Sequence, residues 1–348
     1  MSRQANDAGH AVSTATLQAA VERALGNYFG SLRRVVALHR QPSTYRSSFP
    51  LEELDVRLED GTALPLVFKN LSPHALPDRV RRAKPEFVYN PLREIDVYGS
   101  ILNGQRLGTA SCYGAVVEPE IDRYWLFLEK APGLELYQLG EMAAWQQAAR
   151  WLATLHTRFL GRMESHACTS HLLRYDGAFY RQWIERAVQF QGAAEGSVAG
   201  GGQRELERLA SRYDRVVERL LALPATLIHG EFYASNVLVQ QSGQVPRVCA
   251  IDWEMAAIGP GLVDLAALTA GQWSDEERTA HVLAYHDELT QYDSPTPSAG
   301  ELLESLEYCR LHLAVQWLGW SLDWTPPPEH RQDWLGEALR LSAKVGLS

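Results

Sequence analysis

At 348 residues with 46% apolar side chains, the chain is long and hydrophobic enough to bury a large core in two compact units. Its 33 basic and 42 acidic residues leave a net charge of −9, which argues against a broad footprint for nucleic acid or anionic lipid. There is no apolar run of about 18 residues and no basic, then apolar, signal-like start, and Cys112, Cys168, Cys249 and Cys309 stand without a CxxC pair, so the expectation is a cytoplasmic protein with no membrane partner and no disulfide framework.

The elements begin with a helix at about 14–26, opened by Ser13 or Thr14 and closed by Gly26. Three strand-like runs follow, 34–38, 51–58 and 63–68, and Glu59-Asp60-Gly61 between the last two marks a hairpin because glycine supplies the positive φ of a tight turn. A helix after Pro91 runs through Arg93, Glu94 and Tyr98 to Leu102, and strands are expected at 111–117 and 124–129. Strands on both sides of one helix make a small lobe.

Beyond Ala131-Pro132-Gly133 the period turns helical, with Met142, Trp145, Ala149, Leu152, His156 and Phe159 at steps of three and four. Leu206, Leu209, Tyr213, Val216 and Leu220 define a second helix, preceded by a Gly- and Ala-rich connection at 192–202. Trp317, Trp320 and Trp324 are spaced to share one helical face, while His166, Cys168 and His171 match no familiar metal finger. One extended island interrupts the helices at 226–252, where Val237-Leu238-Val239 and 245–251 flank the turn Gln241-Ser242-Gly243. No repeat of about 20–50 residues stands out. The class is α+β, with a small antiparallel sheet lobe over 1–130 and a larger, mainly helical lobe over 131–348.

The island carries the chemistry. It reads Leu227-Ile228-His229-Gly230-Glu231-Phe232-Tyr233-Ala234-Ser235-Asn236 and, after the hairpin, Ile251-Asp252-Trp253-Glu254. A hairpin returns the chain to its starting edge, so the polar groups at both strand ends converge. Magnesium takes hard oxygen ligands and often only one or two from protein, a pair that Asn236 and Asp252 supply. Phosphoryl transfer also needs a carboxylate near the attacking hydroxyl and a cation on the donor phosphates, for which Glu231 and Lys69 are available.

These residues resemble the aminoglycoside phosphotransferase-like small-molecule kinases, in which the catalytic loop reads His-Gly-Asp with Asn five residues on, and the metal segment reads Ile-Asp-Trp-Glu. His229, Gly230, Asn236, Ile251, Asp252, Trp253 and Glu254 fall on those positions. Lys69 resembles the family's phosphate-binding lysine, Glu94 its ion-pair partner, Leu155-His156 the helix end before the loop, and Asp264 in 259–266 the aspartate that braces it. The resemblance covers about residues 30–325 and implies the bilobal protein-kinase fold. It assigns His229 a structural role, makes Glu129 to Ala131 the hinge whose backbone meets adenine, and implies ATP and Mg2+ as cofactors.

Two departures stand out. Glu231 replaces the family's catalytic aspartate, moving the carboxylate by about one methylene, and a misplacement of about 1 Å can cost about 10²-fold in rate. The loop at 40–50 has no glycine, leaving Ser43, Thr44, Ser47 and Ser48 in place of the glycine-rich cover of protein kinases. No GxxxxGK[ST] occurs, so a P-loop is ruled out. The expected activity is ATP-dependent phosphorylation of a hydroxyl on a small molecule, an antibiotic, sugar or amino alcohol. Trp273, Trp317, Trp320 and acidic residues are expected beside the acceptor, and the rival reading is a catalytically degenerate nucleotide-binding regulator or scaffold.

Overall fold

The computed structural model describes residues 12–43, 45, 48–163, 168–194, 201–241, 246–292, 296–321 and 331–347. The expected turn at Ser242-Gly243, the residues Thr44, Ser47, His166 and Trp324, and most of the connection at 192–202 lie outside the described residues. The chain divides into two compact units, Met1–Arg81 with Asn90–Ala131, and Arg82–Tyr89 with Pro132–Ser348.

In the first unit, α1 (Thr14–Phe29) starts at Ser13, whose hydroxyl accepts the Thr16 N–H. The expected stop at Gly26 is corrected: the helix continues to Phe29, and Gly30, at φ +66°, closes it by donating its N–H to the Gly26 carbonyl. Leu17, Ala20, Val21, Ala24 and Leu25 form the buried stripe of α1. That stripe packs on an antiparallel sheet of β1 (Val35–Pro42), β2 (Leu51–Leu58), β3 (Ala63–Asn70), β4 (Cys112–Glu118) and β5 (Arg123–Glu129), in the order β1-β2-β3-β5-β4. Along β2, Leu54, Val56 and Leu58 are buried while Asp55 and Arg57 are exposed, the two-residue alternation of a half-covered strand. Gly61, at φ +86°, makes the β2–β3 turn as expected, and the Asp60 carboxylate accepts the Thr62 N–H inside it.

The short α2 (Asp78–Ala83) follows β3. The helix expected from Pro91 to Leu102 is only partly α: α3 (Arg93–Asp96) widens into a π turn over Val97–Ile101, with the Leu102 N–H reaching back to the Val97 carbonyl.

The second unit contains two small sheets among helices. In the first, β6 (Leu134–Glu135) joins β9 (Val237–Gln240), which pairs antiparallel with β10 (Arg247–Ala250) as the island pattern requires. In the second, β11 (Ala257–Pro260) lies between β7 (Leu173–Arg174) and β8 (Ala225–Ile228). Around them stand α4 (Met142–Phe159), α5 (Gly177–Ala194), α6 (Gly201–Ser211), α7 (Asp214–Leu221), α8 (Leu262–Leu268), α9 (Asp275–Leu289), α10 (Ala299–Leu318) and α11 (Trp334–Lys344). Capping boxes start α9 and α10, through Ser274 with Glu277 and Ser298 with Glu301.

Two sequence expectations are corrected in this unit. The single helix drawn through Leu206 to Leu220 is two, because Ser211 turns its hydroxyl onto the Arg208 carbonyl and the Tyr213 phenol is held in the core by His312 Nδ1 at 3.1 Å. Trp317 and Trp320 do not share a face: Trp317 stacks on Trp334 at 5.1 Å, whereas Trp320 lies beyond the end of α10 and stacks on Trp183 at 5.7 Å.

Candidate active site

In the first unit, β3 ends by delivering Lys69 inward, and α3 presents Glu94 to it. Their Nζ and Oε2 stand 2.6 Å apart, with both side chains no more than 3% exposed. Lysine and glutamate are almost never buried unless paired. An opposite charge at this distance offsets the desolvation each group suffers, so the pair fixes the ammonium at one point. Glu129, at the end of β5, has its carboxylate occupied by the Ser111 N–H at 3.0 Å and hydroxyl at 3.2 Å, and its own N–H donates to the Ser111 carbonyl. The Lys130 N–H donates to Pro65, while buried Ala131 has no protein acceptor for its N–H among the described residues. A ligand at this segment therefore meets backbone and not the Glu129 side chain.

In the second unit, β8 ends at Ile228 and the chain turns through His229, Gly230 and Glu231. The turn is built around Asp264 at the start of α8. Its carboxylate is fully buried and accepts the N–H groups of His229 at 2.7 Å and Gly230 at 2.8 Å, with His156 Nε2 at 3.3 Å. His156 in turn meets the Tyr285 hydroxyl at 2.9 Å through Nδ1 and gives its carbonyl to the Thr226 hydroxyl. Gly230 is at φ +84°, and a Cβ there would run into the Met255 carbonyl oxygen, so only glycine fits.

His229 is buried and points its Nε2 at the Ile251 carbonyl, 2.9 Å away, with its ring against Trp253. That contact joins the loop to the segment carrying Asp252. The Ile251 N–H also donates to the Asn236 carbonyl at 2.9 Å, so Asn236 and Asp252 are held at adjacent ends of β9 and β10. The Asn236 amide nitrogen donates to the Glu231 carbonyl at 2.9 Å, which directs its side-chain oxygen away from that bond. Asp252 sits at φ +64°, an uncommon conformation for a non-glycine residue and one concentrated at functional sites. Hard oxygens from Asn236 and Asp252 fit magnesium, which needs few protein ligands.

Trp253 is buried, donating its indole N–H to the Ala250 carbonyl, and Glu254 forms a buried ion pair with Lys84 at 2.6 Å. Lys84 is a site-neighbouring residue that sequence reasoning missed: it is 170 positions from Glu254 and stands in a basic stretch that reads as solvated. The Tyr233 hydroxyl is pushed well above its ordinary range by burial and then by the neighbouring Glu231 carboxylate, so it stays neutral. No group of three or more His, Cys, Asp or Glu side chains able to hold a metal occurs among the described residues, and His166 of the His/Cys/His spacing lies outside them. No helix is long and apolar enough to cross a membrane among the described residues.

An antiparallel five-stranded sheet with a buried Lys–Glu pair, together with a helical unit presenting a braced His-Gly-Glu loop and an Asp-Trp-Glu segment, defines a bilobal protein-kinase-like phosphotransferase. The sequence matches the phosphotransferase enzyme family over residues 52–302, and the chain belongs to that family; it is a small-molecule kinase acting on a hydroxyl group. In fold it is similar to choline kinase from Cryptosporidium parvum Iowa II, at 14% identity over 96% of this chain and 94% of that one, with a TM-score of 0.58. Ethanolamine kinase from Plasmodium vivax is similar at 12% identity, 96% and 89% coverage and a TM-score of 0.58. The GDP complex of aminoglycoside 2'-phosphotransferase-IIIa is similar at 12% identity, 94% and 98% coverage and a TM-score of 0.54. Comparison with proteins of curated function returned no match.

Proposed function

We propose that the chain transfers the γ-phosphoryl group of ATP to a hydroxyl of a small molecule. Lys69, oriented by Glu94, binds the donor phosphates, and the backbone of Glu129 to Ala131 meets the adenine. Asn236 and Asp252 hold the metal. A bound magnesium ion supplies neutralisation of the charge on the donor phosphates. Glu231 orients the acceptor hydroxyl and takes its proton as the new oxygen–phosphorus bond forms and the bond to the departing ADP breaks.

The observation that carries this reading is the double use of Asp264, which locks the His229 and Gly230 N–H groups and so fixes the direction of the chain into Glu231. Preorganisation of this kind is where most of an enzyme's electrostatic stabilisation arises. The buried Lys69–Glu94 pair and the unaccepted Ala131 N–H support nucleotide binding on the first unit. Similar folds solved with ADP, GDP and AMP point the same way.

The test is a screen of hydroxylated antibiotics, sugars and amino alcohols with Mg-ATP, read by mass spectrometry for gain of one phosphoryl group, on wild type and Asp252→Ala. Turnover by the wild type and its loss in Asp252→Ala is the expected result, because the carboxylate is one of only two protein oxygens assigned to the metal. Near-wild-type turnover in the variant overturns the metal assignment. The rival reading, a nucleotide-binding regulator in which Glu231 marks a lost base, requires Mg-ATP binding without phosphorylation of any acceptor.

A further inference from the structure

Tyr233, Ala234 and Ser235, which stand between Glu231 and Asn236, form one side of a cavity of about 110 Å3 in the second unit. Its other walls are mostly aromatic or apolar, with Tyr137, Trp145, Trp334, Ala267 and Leu268 beside the amide of Gln332. The rings are held in place before any ligand arrives. Trp334 lies flat against Trp317 at 5.1 Å, and Trp317 packs on Tyr233 at 5.6 Å. Trp145 donates its indole N–H to the Leu139 carbonyl at 3.0 Å and meets the edge of Trp273 at 4.7 Å. Among the described residues, no carboxylate and no basic side chain lines this cavity.

Through Ala270, Gly271, Gln332 and Trp334 it continues into a cavity of about 380 Å3. Arginines enter there, but carboxylates of the same lining occupy them. Arg278 meets Asp275 at 3.2 Å, and Glu337 holds both Arg310 at 2.7 Å and Arg340 at 2.8 Å. Asp333 is occupied in capping α11, accepting the Gly336 N–H at 2.8 Å. Three arginines and three carboxylates cancel in this lining, so no net negative field draws a cation inward. Arg278 is 6% exposed, and its Nε is buried with no acceptor among the described residues.

We infer that the acceptor is an uncharged, hydroxylated molecule with a flat apolar face, and not an amino alcohol or an aminoglycoside. The inference rests on the kinase reading above and narrows its substrate. A flat face stacks on the Trp334 and Trp145 rings, which places a hydroxyl of the same molecule beside the loop that carries Glu231. Further hydroxyls meet the amide of Gln332, shared by both cavities, which offers a donor and an acceptor on one plane. An ammonium group would surrender its hydration to a pocket whose described residues offer no carboxylate to receive it, and an unpaired charge is the costliest group to desolvate. Ring faces attract cations only modestly by comparison.

The experiment titrates the intrinsic tryptophan fluorescence with two uncharged probes, phenyl β-D-glucopyranoside and 2-phenylethanol, and with choline, ethanolamine and kanamycin. Mg-ATP affinity is measured on the same samples by calorimetry. The expected result is that an uncharged probe binds at least about tenfold more tightly than any of the cations. Ala270→Leu, which fills the passage without removing packed side chains, weakens that probe about tenfold and leaves Mg-ATP affinity unchanged. Gln332→Glu, which adds a carboxylate, moves the preference about tenfold toward the cations, a gain that misfolding does not produce. Equal or tighter cation binding, no binding of either uncharged probe, or indifference to Ala270→Leu overturns the inference. Failure to bind Mg-ATP would instead overturn the kinase reading, on a separate readout.

Discussion

At Glu231 the main chain is tied down independently of the side chain: its carbonyl accepts from Asn236 Nδ2 at 2.9 Å and from the Tyr233 N–H at 2.7 Å, and its N–H approaches His229 Nδ1 at 3.3 Å. The additional methylene relative to aspartate is therefore expressed in the position of the carboxylate and not absorbed by the loop. If the acceptor site is built to that longer reach, Glu231→Gln lowers kcat strongly with nucleotide affinity nearly unchanged, since only the acceptor-facing charge is removed. Glu231→Asp is also slower, by up to about 10²-fold, because its carboxylate falls short by about 1 Å. Steady-state kinetics with calorimetry checks both, and a faster Asp variant would refute the adapted site. Lys69→Met removes one partner of the buried Lys69–Glu94 ion pair, costing about 3–5 kcal/mol in denaturant unfolding. Adding Glu94→Leu recovers most of that stability but none of the activity. Local pattern placed Lys69 at a strand end and Glu94 on a helix, and the family resemblance supplied their pairing. The Lys84–Glu254 pair was not, because nothing local distinguishes a lysine that will be buried from one that stays in water.

At the scale of elements, the first turn of α8 carries Asp264, which braces the His229-Gly230-Glu231 loop, so the helix start and the β8 turn form one unit. Asp264→Ala removes the acceptor for two buried N–H groups, each costing about 1–3 kcal/mol when left unmade. Asp264→Asn keeps the volume but retains only one side-chain oxygen for the two N–H groups. Both variants should lower kcat, with Asn intermediate in melting temperature between Ala and wild type; a wild-type kcat in Asp264→Ala would show that the loop holds its shape without the brace. The hairpins and the amphipathic α4 were legible from alternation, turn glycine and three-to-four spacing. The break between α6 and α7 was not, because the apolar spacing continues across it while Tyr213 is captured by His312 on a distant helix.

Across the whole molecule, two buried histidines make stability depend on pH. Burial pushes His312 down to about 3 and His281 down to about 4, the latter between the Trp145 and Trp273 rings with neither nitrogen hydrogen-bonded among the described residues. In the unfolded chain each titrates near 6.5. Between that pH and the depressed value, unfolding takes up a proton, so acid favours the unfolded state and stability rises with pH across this window. Each histidine contributes a slope of up to about 1.4 kcal/mol per pH unit. Thermal melting from pH 7 to 4 should show the midpoint falling steadily, and His281→Leu should flatten the curve below pH 6.5; an unchanged slope would mean His281 takes its proton while folded.

What the sequence determined by itself is what short-range chemistry encodes. Alternation and helical period placed the sheet and the long helices, a single hairpin brings Asn236 and Asp252 to one edge, and the family resemblance marked His229 and Gly230 beside them. Only the tertiary structure decided which partners distant residues find. Asp264 takes its hydrogen bonds from residues more than 30 positions away, Lys84 finds Glu254, and the Trp317–Trp334 stack joins α10 to α11. The physical reason is that the free energy of burying a charge or a ring depends on everything packed around it, whereas a turn or a helical stripe depends on its immediate neighbours in the chain.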